Sequence, residues 1–242
     1  MADEVENTGM HVSGDKYDMP YFAARHQDRD RPALWFYERL VRRWIHPGRI
    51  LDYGCGTGFM LRRLSRYYET AGFDLSSEAR RSTIANVPGV TVYDCEGDIP
   101  ASCFSGIVSL HVLEHIDRSV IPAVLNLWSN ALVPGGRVLC VVPDAEGRGH
   151  ALAGNRWTGF GDPTHVTLNG HSEWQSIFTT AGFRVASIGT DGLWCLPYRA
   201  GKSKLVDGLK YSLPTALQFV LGRLLLSPGS GESAIFLLEN NP

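Results

Sequence analysis

The groups able to do chemistry in this 242-residue chain fall in three stretches. In Ile50–Gly58, Asp52 is followed by Gly54, Cys55, Gly56 and Gly58. Glycine at every second position leaves the backbone bare, so a ligand can lie against it and meet its N–H groups. Asp74 stands twenty residues after Gly54, at the end of the next strand-like run, where an acid can accept hydrogen bonds from ribose hydroxyls. The second stretch, Leu110-His111-Val112-Leu113-Glu114-His115, sets two imidazoles and a carboxylate where a strand passes into its loop. The third, Trp157–Val166, carries Asp162 and His165. Neutral imidazole accepts a hydroxyl proton near pH 7, and a carboxylate beside it stabilises the imidazolium that forms. Each assignment has a plainer alternative. Asp74 could cap the following helix, Asp162 and His165 could only pin their loop, and His115 and Glu114 could be structural.

These groups need elements that carry them. From 49 to 142 strand-like and helix-like runs alternate, which implies an α/β fold with a parallel sheet and helices on both faces. Strands are expected over 49–53, 70–74, 90–93, 106–110 and 137–142, and helices near 58–67, 77–85 and 119–132, with little room for a helix between the third and fourth strands. The polar, acidic residues 1–30 are expected to be partly disordered. Pro32 then opens a helix whose Leu34, Tyr37, Val41 and Trp44 recur at helical spacing. Residues 1–46 thus read as tail and helical cap, and 47–242 as the main domain. Residues 143–170 are loop-rich and should cover the carboxyl edge of the sheet. A helix is expected from Ser172, with Gln175 completing a capping box, and the sixth and seventh strands over 183–190 and 233–239. Residues 191–230 form a second insertion. Its apolar part, 213–226, reads as a core helix, a homodimer contact, a lid over a hydrophobic acceptor or an interfacial helix.

Leu51-Asp52-Tyr53-Gly54-Cys55-Gly56-Thr57-Gly58 resembles the first motif of class I S-adenosylmethionine (SAM)-dependent methyltransferases. Gly72-Phe73-Asp74-Leu75-Ser76 resembles their second motif, Asp94-Cys95-Glu96-Gly97-Asp98-Ile99-Pro100 the adenine segment, Val108–Ile116 the end of the fourth strand, and Leu132-Val133-Pro134-Gly135-Gly136-Arg137 the turn before the fifth. The five matches fall in family order over 48–142. The resemblance implies a Rossmann-like, seven-stranded, mostly parallel sheet that binds SAM and releases S-adenosylhomocysteine (SAH). It implies cofactor contacts from Asp52, Gly54, Cys55, Gly56, Gly58, Asp74, Leu75, Asp94, Cys95, Glu96, Leu110 and His111. The adenine segment carries one extra residue, so either Asp94 or Glu96 faces the adenine. Asp52 would fix the glycine loop or reach the SAM ammonium group. Asp162-Pro163-Thr164-His165 is similar to an element of small-molecule enzymes related to the ubiquinone-pathway O-methyltransferases. There His165, oriented by Asp162, would be the general base, with His111 second.

Composition narrows the partners. Net charge is −2, with no global basic footprint for nucleic acid. The run after the fourth strand also lacks the Asn/Asp-Pro-Pro-Tyr/Phe pattern of base-amino methylases. The five cysteines, 55, 95, 103, 140 and 195, form no C-x-x-C pair, so neither a disulfide framework nor a metal site is expected, and the compartment reads as reducing and cytoplasmic. No apolar stretch is long enough to span a bilayer. The expected activity is methyl transfer to a small-molecule hydroxyl. N- or C-methylation, or a non-catalytic SAM- or SAH-binding regulatory module, are the alternatives.

Overall fold

A computed structural model describes residues 14–194 and 213–241. Seven strands form one sheet in the order β3-β2-β1-β4-β5-β7-β6. They are β1 Arg49–Tyr53, β2 Glu69–Phe73, β3 Thr91–Tyr93, β4 Phe104–Leu110, β5 Leu132–Pro143, β6 Phe183–Thr190 and β7 Ser233–Asn240. The pairs β1–β2, β1–β4, β2–β3 and β4–β5 are parallel, and β7 runs antiparallel between β5 and β6. The chain order reverses between β1 and β4, so the carboxyl ends of these strands open a crevice there, the place where open α/β sheets bind ligands.

The strands β1, β4, β5 and β7 are largely apolar on both faces because both faces are covered. Alternate side chains go to opposite sides of the pleat. Leu51, Val138, Cys140 and Phe236 join Trp128 and Phe178 on one side. Ile50, Leu139, Val141 and Ile235 meet Phe36, Leu40 and Val41 on the other. The first side is covered by α5 (Ile121–Ala131) and α7 (His171–Thr180), the second by α2 (Pro32–Trp44) and α3 (Phe59–Leu64). The remaining α-helices among the described residues are α1 (Met19–Ala24), α4 (Ser77–Asn86), α6 (Arg148–Ala153) and α8 (Leu213–Leu221). Among the described residues no helix is long and apolar enough to cross a membrane.

Several boundaries differ from the sequence reading for local reasons. β4 and β5 begin earlier than expected, because Phe104 pairs with Leu132 ahead of the Pro134-Gly135 turn and the register shifts before Gly106 meets Arg137. The expected capping box at Ser172 is absent. α7 starts at His171 after Gly170, and the Ser172 hydroxyl donates to Glu146 Oε2 at 2.8 Å instead. The stretch 143–170 contains α6 and two short 3-10 turns. Residues 14–30, expected to lack order in part, carry α1, which the Asp18 side chain caps through the Tyr21 N–H at 2.8 Å. The expected tail and second insertion fall partly outside the described residues, at 1–13 and 195–212.

Candidate active site

β1 ends in the buried Asp52 and Tyr53, and the loop Gly54–Gly58 then turns the chain into α3. The three glycines have different reasons. Gly54 has φ +78°, and a Cβ there would lie 2.4 Å from Val112. Gly58 has φ +81°, and a Cβ would lie 2.8 Å from Thr83 of α4, so this glycine lets α3 and α4 pack closely. Gly56 (φ +52°) is the open one. Its Cβ would meet only Phe22, at 3.6 Å, across a cleft of about 110 Å³. Cys55 points away from the ligand side, buried with Leu61 and Val87.

Gly54, Gly56, Asp74, Leu75, Leu110 and His111 all line this cleft. Asp74 holds it in shape. Its Oδ2 accepts from the Gly56 N–H at 2.8 Å and its Oδ1 from the Ser76 N–H at 2.9 Å. Burial raises the Asp74 pKa, against the pull of those two N–H groups and of Arg80. Helix capping falls to Ser76, whose hydroxyl accepts from the Ala79 N–H. Asp52 sits beneath, its carboxyl pushed up to about 7 by burial and by the nearby Asp74 charge.

The adenine segment is split. Asp94 points outward, its side chain 66% exposed and 3.8 Å from Arg80, and Cys95 is exposed. Glu96 instead accepts a hydrogen bond from Tyr53, a residue of the cleft wall. None of Asp94, Cys95 and Glu96 lines the cleft directly.

The sequence reading missed the opposite wall. Tyr17, Tyr21, Phe22 and Gln27 come from the N-terminal segment. That segment is tied to the sheet edge by the Ser76 hydroxyl donating to the Tyr17 carbonyl at 2.6 Å and the Thr57 hydroxyl donating to the Gln27 carbonyl at 2.5 Å. The available signal was Tyr17, Tyr21 and Phe22 clustered in an otherwise polar stretch.

A second cleft of about 540 Å³ adjoins the first and shares Tyr21, Gln27, His111 and His115 with it. Its other walls include Arg25, Glu114, Trp157, Asp162 and His165. His111 has a positive φ of 58° and stands at the junction, with Nδ1 3.2 Å from Glu114 Oε1 and a side chain 30% exposed. Glu114 is fully buried. Burial raises its pKa, but the hydrogen bond from His111 and the neighbouring imidazoles outweigh burial and leave it below the ordinary value. Burial lowers the pKa of His115, so that ring is neutral near pH 7.

The expected pairing of Asp162 with His165 is not a hydrogen bond. Asp162 Oδ2 lies 3.8 Å from His165 Nε2, because Arg25 Nε (2.5 Å) and the Tyr21 hydroxyl (3.0 Å) already occupy that oxygen. His165 Nδ1 is 2.7 Å from the Gly159 carbonyl, and its side chain is only 11% exposed.

The comparisons with known proteins agree with this geometry. A family model described as a methyltransferase domain matches residues 24–188, more than half of the chain. No curated protein matches. Among solved structures, a SAM-dependent methyltransferase from Archaeoglobus fulgidus is 19% identical, with 90% of this chain and 99% of that one covered at a TM-score of 0.63. A SAM-dependent methyltransferase from Thermotoga maritima, described as a possible histamine N-methyltransferase, is 15% identical over 91% and 95% at 0.60. One from Mesorhizobium loti is 16% identical over 86% and 97% at 0.58. These structures share the fold, and the family match runs from the last residue of α1 into β6. The chain belongs to the methyltransferase-domain family, as a class I enzyme whose cofactor is SAM.

Proposed function

We propose that the enzyme methylates a hydroxyl of a small molecule held in the larger cleft, with His111 as the general base. The observation that carries this reading is the place of His111, on the wall common to the SAM cleft and the larger cleft. A glutamate can only accept through Oε1, so His111 Nδ1 carries the hydrogen of the 3.2 Å contact and Nε2 is left with its lone pair. SAM bound in the first cleft would supply the methyl group to the acceptor oxygen and leave as SAH, while His111 Nε2 takes the hydroxyl proton. Glu114 stabilises the imidazolium. Alignment of acceptor, methyl and sulfur by the two clefts supplies the rest of the rate.

His165 is less suited to the proton than His111, since the Gly159 carbonyl holds one ring nitrogen and little of the ring is exposed. The loop bearing Asp162 and His165 covers the acceptor. Residues 14–46 form the cap on the domain that begins at residue 47. A cytoplasmic setting is supported by the free thiols among the described residues, Cys55, Cys95, Cys103 and Cys140.

The test is His111→Ala beside His111→Gln, assayed on candidate phenols and alcohols with SAH affinity measured in parallel. A general base contributes roughly 10²–10⁴ in kcat. Both variants should lose that factor and keep SAH affinity within a few-fold. Near-normal kcat in His111→Gln across pH 6–9 would defeat the reading, since Gln can hydrogen-bond but cannot take the proton.

A further inference from the structure

We propose that Glu114, His115 and His165 form a binding site for one divalent transition-metal ion, at the junction of the SAM cleft and the acceptor cleft. One ligand atom from each residue can be chosen so that all three lie within 4.8 Å of one another. Their hydrogen bonds leave one ring nitrogen bare on each histidine. His165 Nδ1 stands 2.7 Å from the Gly159 carbonyl, which can only accept, so Nδ1 carries the hydrogen and Nε2 the lone pair. His115 Nδ1 stands 2.9 Å from the Thr164 hydroxyl and 3.3 Å from the Thr164 carbonyl. The Thr164 hydroxyl gives its own proton to Asp162 Oδ1 at 2.6 Å, so it accepts from His115, whose Nε2 is likewise bare. An imidazole fixed through one N–H to a carbonyl or hydroxyl, with the other nitrogen free, is the usual state of a metal-bound histidine.

The carboxylate gives an independent indication. Glu114 is 0% exposed, and its Oε2 is buried with no hydrogen-bond partner while Oε1 faces His111. A buried charged oxygen without a partner is costly, and a cation between it and the two bare nitrogens removes that cost. The other cluster of this kind, Asp144, Glu146 and His171, differs on this point. There His171 Nδ1 is 2.9 Å from Asp144 Oδ2, Asp144 Oδ1 accepts two backbone N–H groups, and Glu146 Oε2 accepts from Ser172. Its carboxylates are engaged in holding the start of α7.

Two imidazoles and one carboxylate suit zinc, manganese, iron or cobalt rather than calcium. Bonds of about 2.0–2.2 Å would draw the three side chains together from that spacing, and three protein ligands leave positions open to an acceptor oxygen. An acceptor hydroxyl bound there would be polarised and its proton made easier to remove. That consequence rests on the proposed O-methylation; the binding of the ion does not.

Tag-free full-length protein, stripped by chelator, would be titrated with Co²⁺ and with Zn²⁺ in the absence of acceptor. The expected result is one equivalent of metal by mass spectrometry and a visible d–d spectrum with Co²⁺. His115→Gln, His165→Gln and Glu114→Gln should each bind about 100-fold or more weakly, while His171→Gln keeps wild-type affinity. SAH calorimetry on every variant reports that the fold survives. A stripped wild-type protein that binds SAH but takes up no Co²⁺ would overturn the proposal, as would metal uptake undiminished by His115→Gln and His165→Gln. A protein that takes up no Co²⁺ yet loses kcat on the His111→Gln substitution would refute the site and spare the base.

Discussion

Asp74→Ala separates what the second-motif acid does for the fold from what it does for the cofactor. The Asp74 carboxylate receives the Gly56 N–H at 2.8 Å and the Ser76 N–H at 2.9 Å, and lines the cleft. Each oxygen retains a lone pair for a ribose hydroxyl. A hydrogen bond to a charged acceptor contributes about 1.5–3 kcal/mol, which is about 10- to 150-fold in Kd. Losing the Gly56 and Ser76 bonds relaxes the loop as well, and removing a buried charge offsets part of that loss. The assay is calorimetry with SAH and with an SAH analogue lacking the ribose hydroxyls, on wild type and variant. Wild type should lose about 10- to 150-fold on going to the analogue. Asp74→Ala should bind SAH that much more weakly and show little further loss with the analogue. Wild-type SAH affinity in Asp74→Ala, or an equal loss with the analogue in both proteins, would refute the ribose contact.

Other outcomes follow from single residues. Asp52, with a carboxyl pKa near 7, ionises more readily once the SAM ammonium is near, so SAM affinity should rise as pH climbs from 6 to 8, and Asp52→Asn should flatten that slope in pH-dependent calorimetry. Gly58→Ala should cost more than Gly89→Ala, because φ is +81° and +82° at the two sites but only Gly58 has a neighbour, Thr83, in the way; urea unfolding should show an extra cost of about 1–3 kcal/mol for the overpacking. Burial raises Asp191 to about 6, above its ordinary value of 3.8, against the pull of His111 and the Tyr37 hydroxyl. The folded state therefore favours the protonated form: its advantage is complete below the unfolded pKa and is lost as pH rises through about 6. Asp191→Asn should remove that part of the pH dependence in urea melts between pH 4 and 8.

Much of the sheet was legible because β1, β4, β5 and β7 are covered on both faces and read as continuous apolar runs ended by glycine, proline or acid. β6 matched its expected span, and the Gly54–Gly58 loop with Asp74 fell where the motif spacing put it. What stayed hidden depends on distant contacts. α1 is too short to show periodicity, and its Tyr21 gains meaning only from Asp162, far along the chain. Ser172 and Gln175 spell a capping box, but Glu146 outcompetes it. Gly58 looks like a ligand glycine in sequence, and only the closeness of Thr83 shows that it serves packing. Glu114 and His115 lie some fifty residues from His165, so no ligand-spacing pattern could join them.

The N-terminal segment touches both clefts at once. Tyr21 walls the cleft beside the glycine loop while its hydroxyl, with Arg25, is bound to Asp162 beside the larger cleft. Whatever orders this segment from one side reduces the ordering cost left to the other, a heterotropic coupling carried by conformational entropy. Such coupling is reciprocal: SAM and acceptor must raise each other's affinity by the same factor. Tyr21→Phe, which cuts the strap at one oxygen, should shrink both factors together.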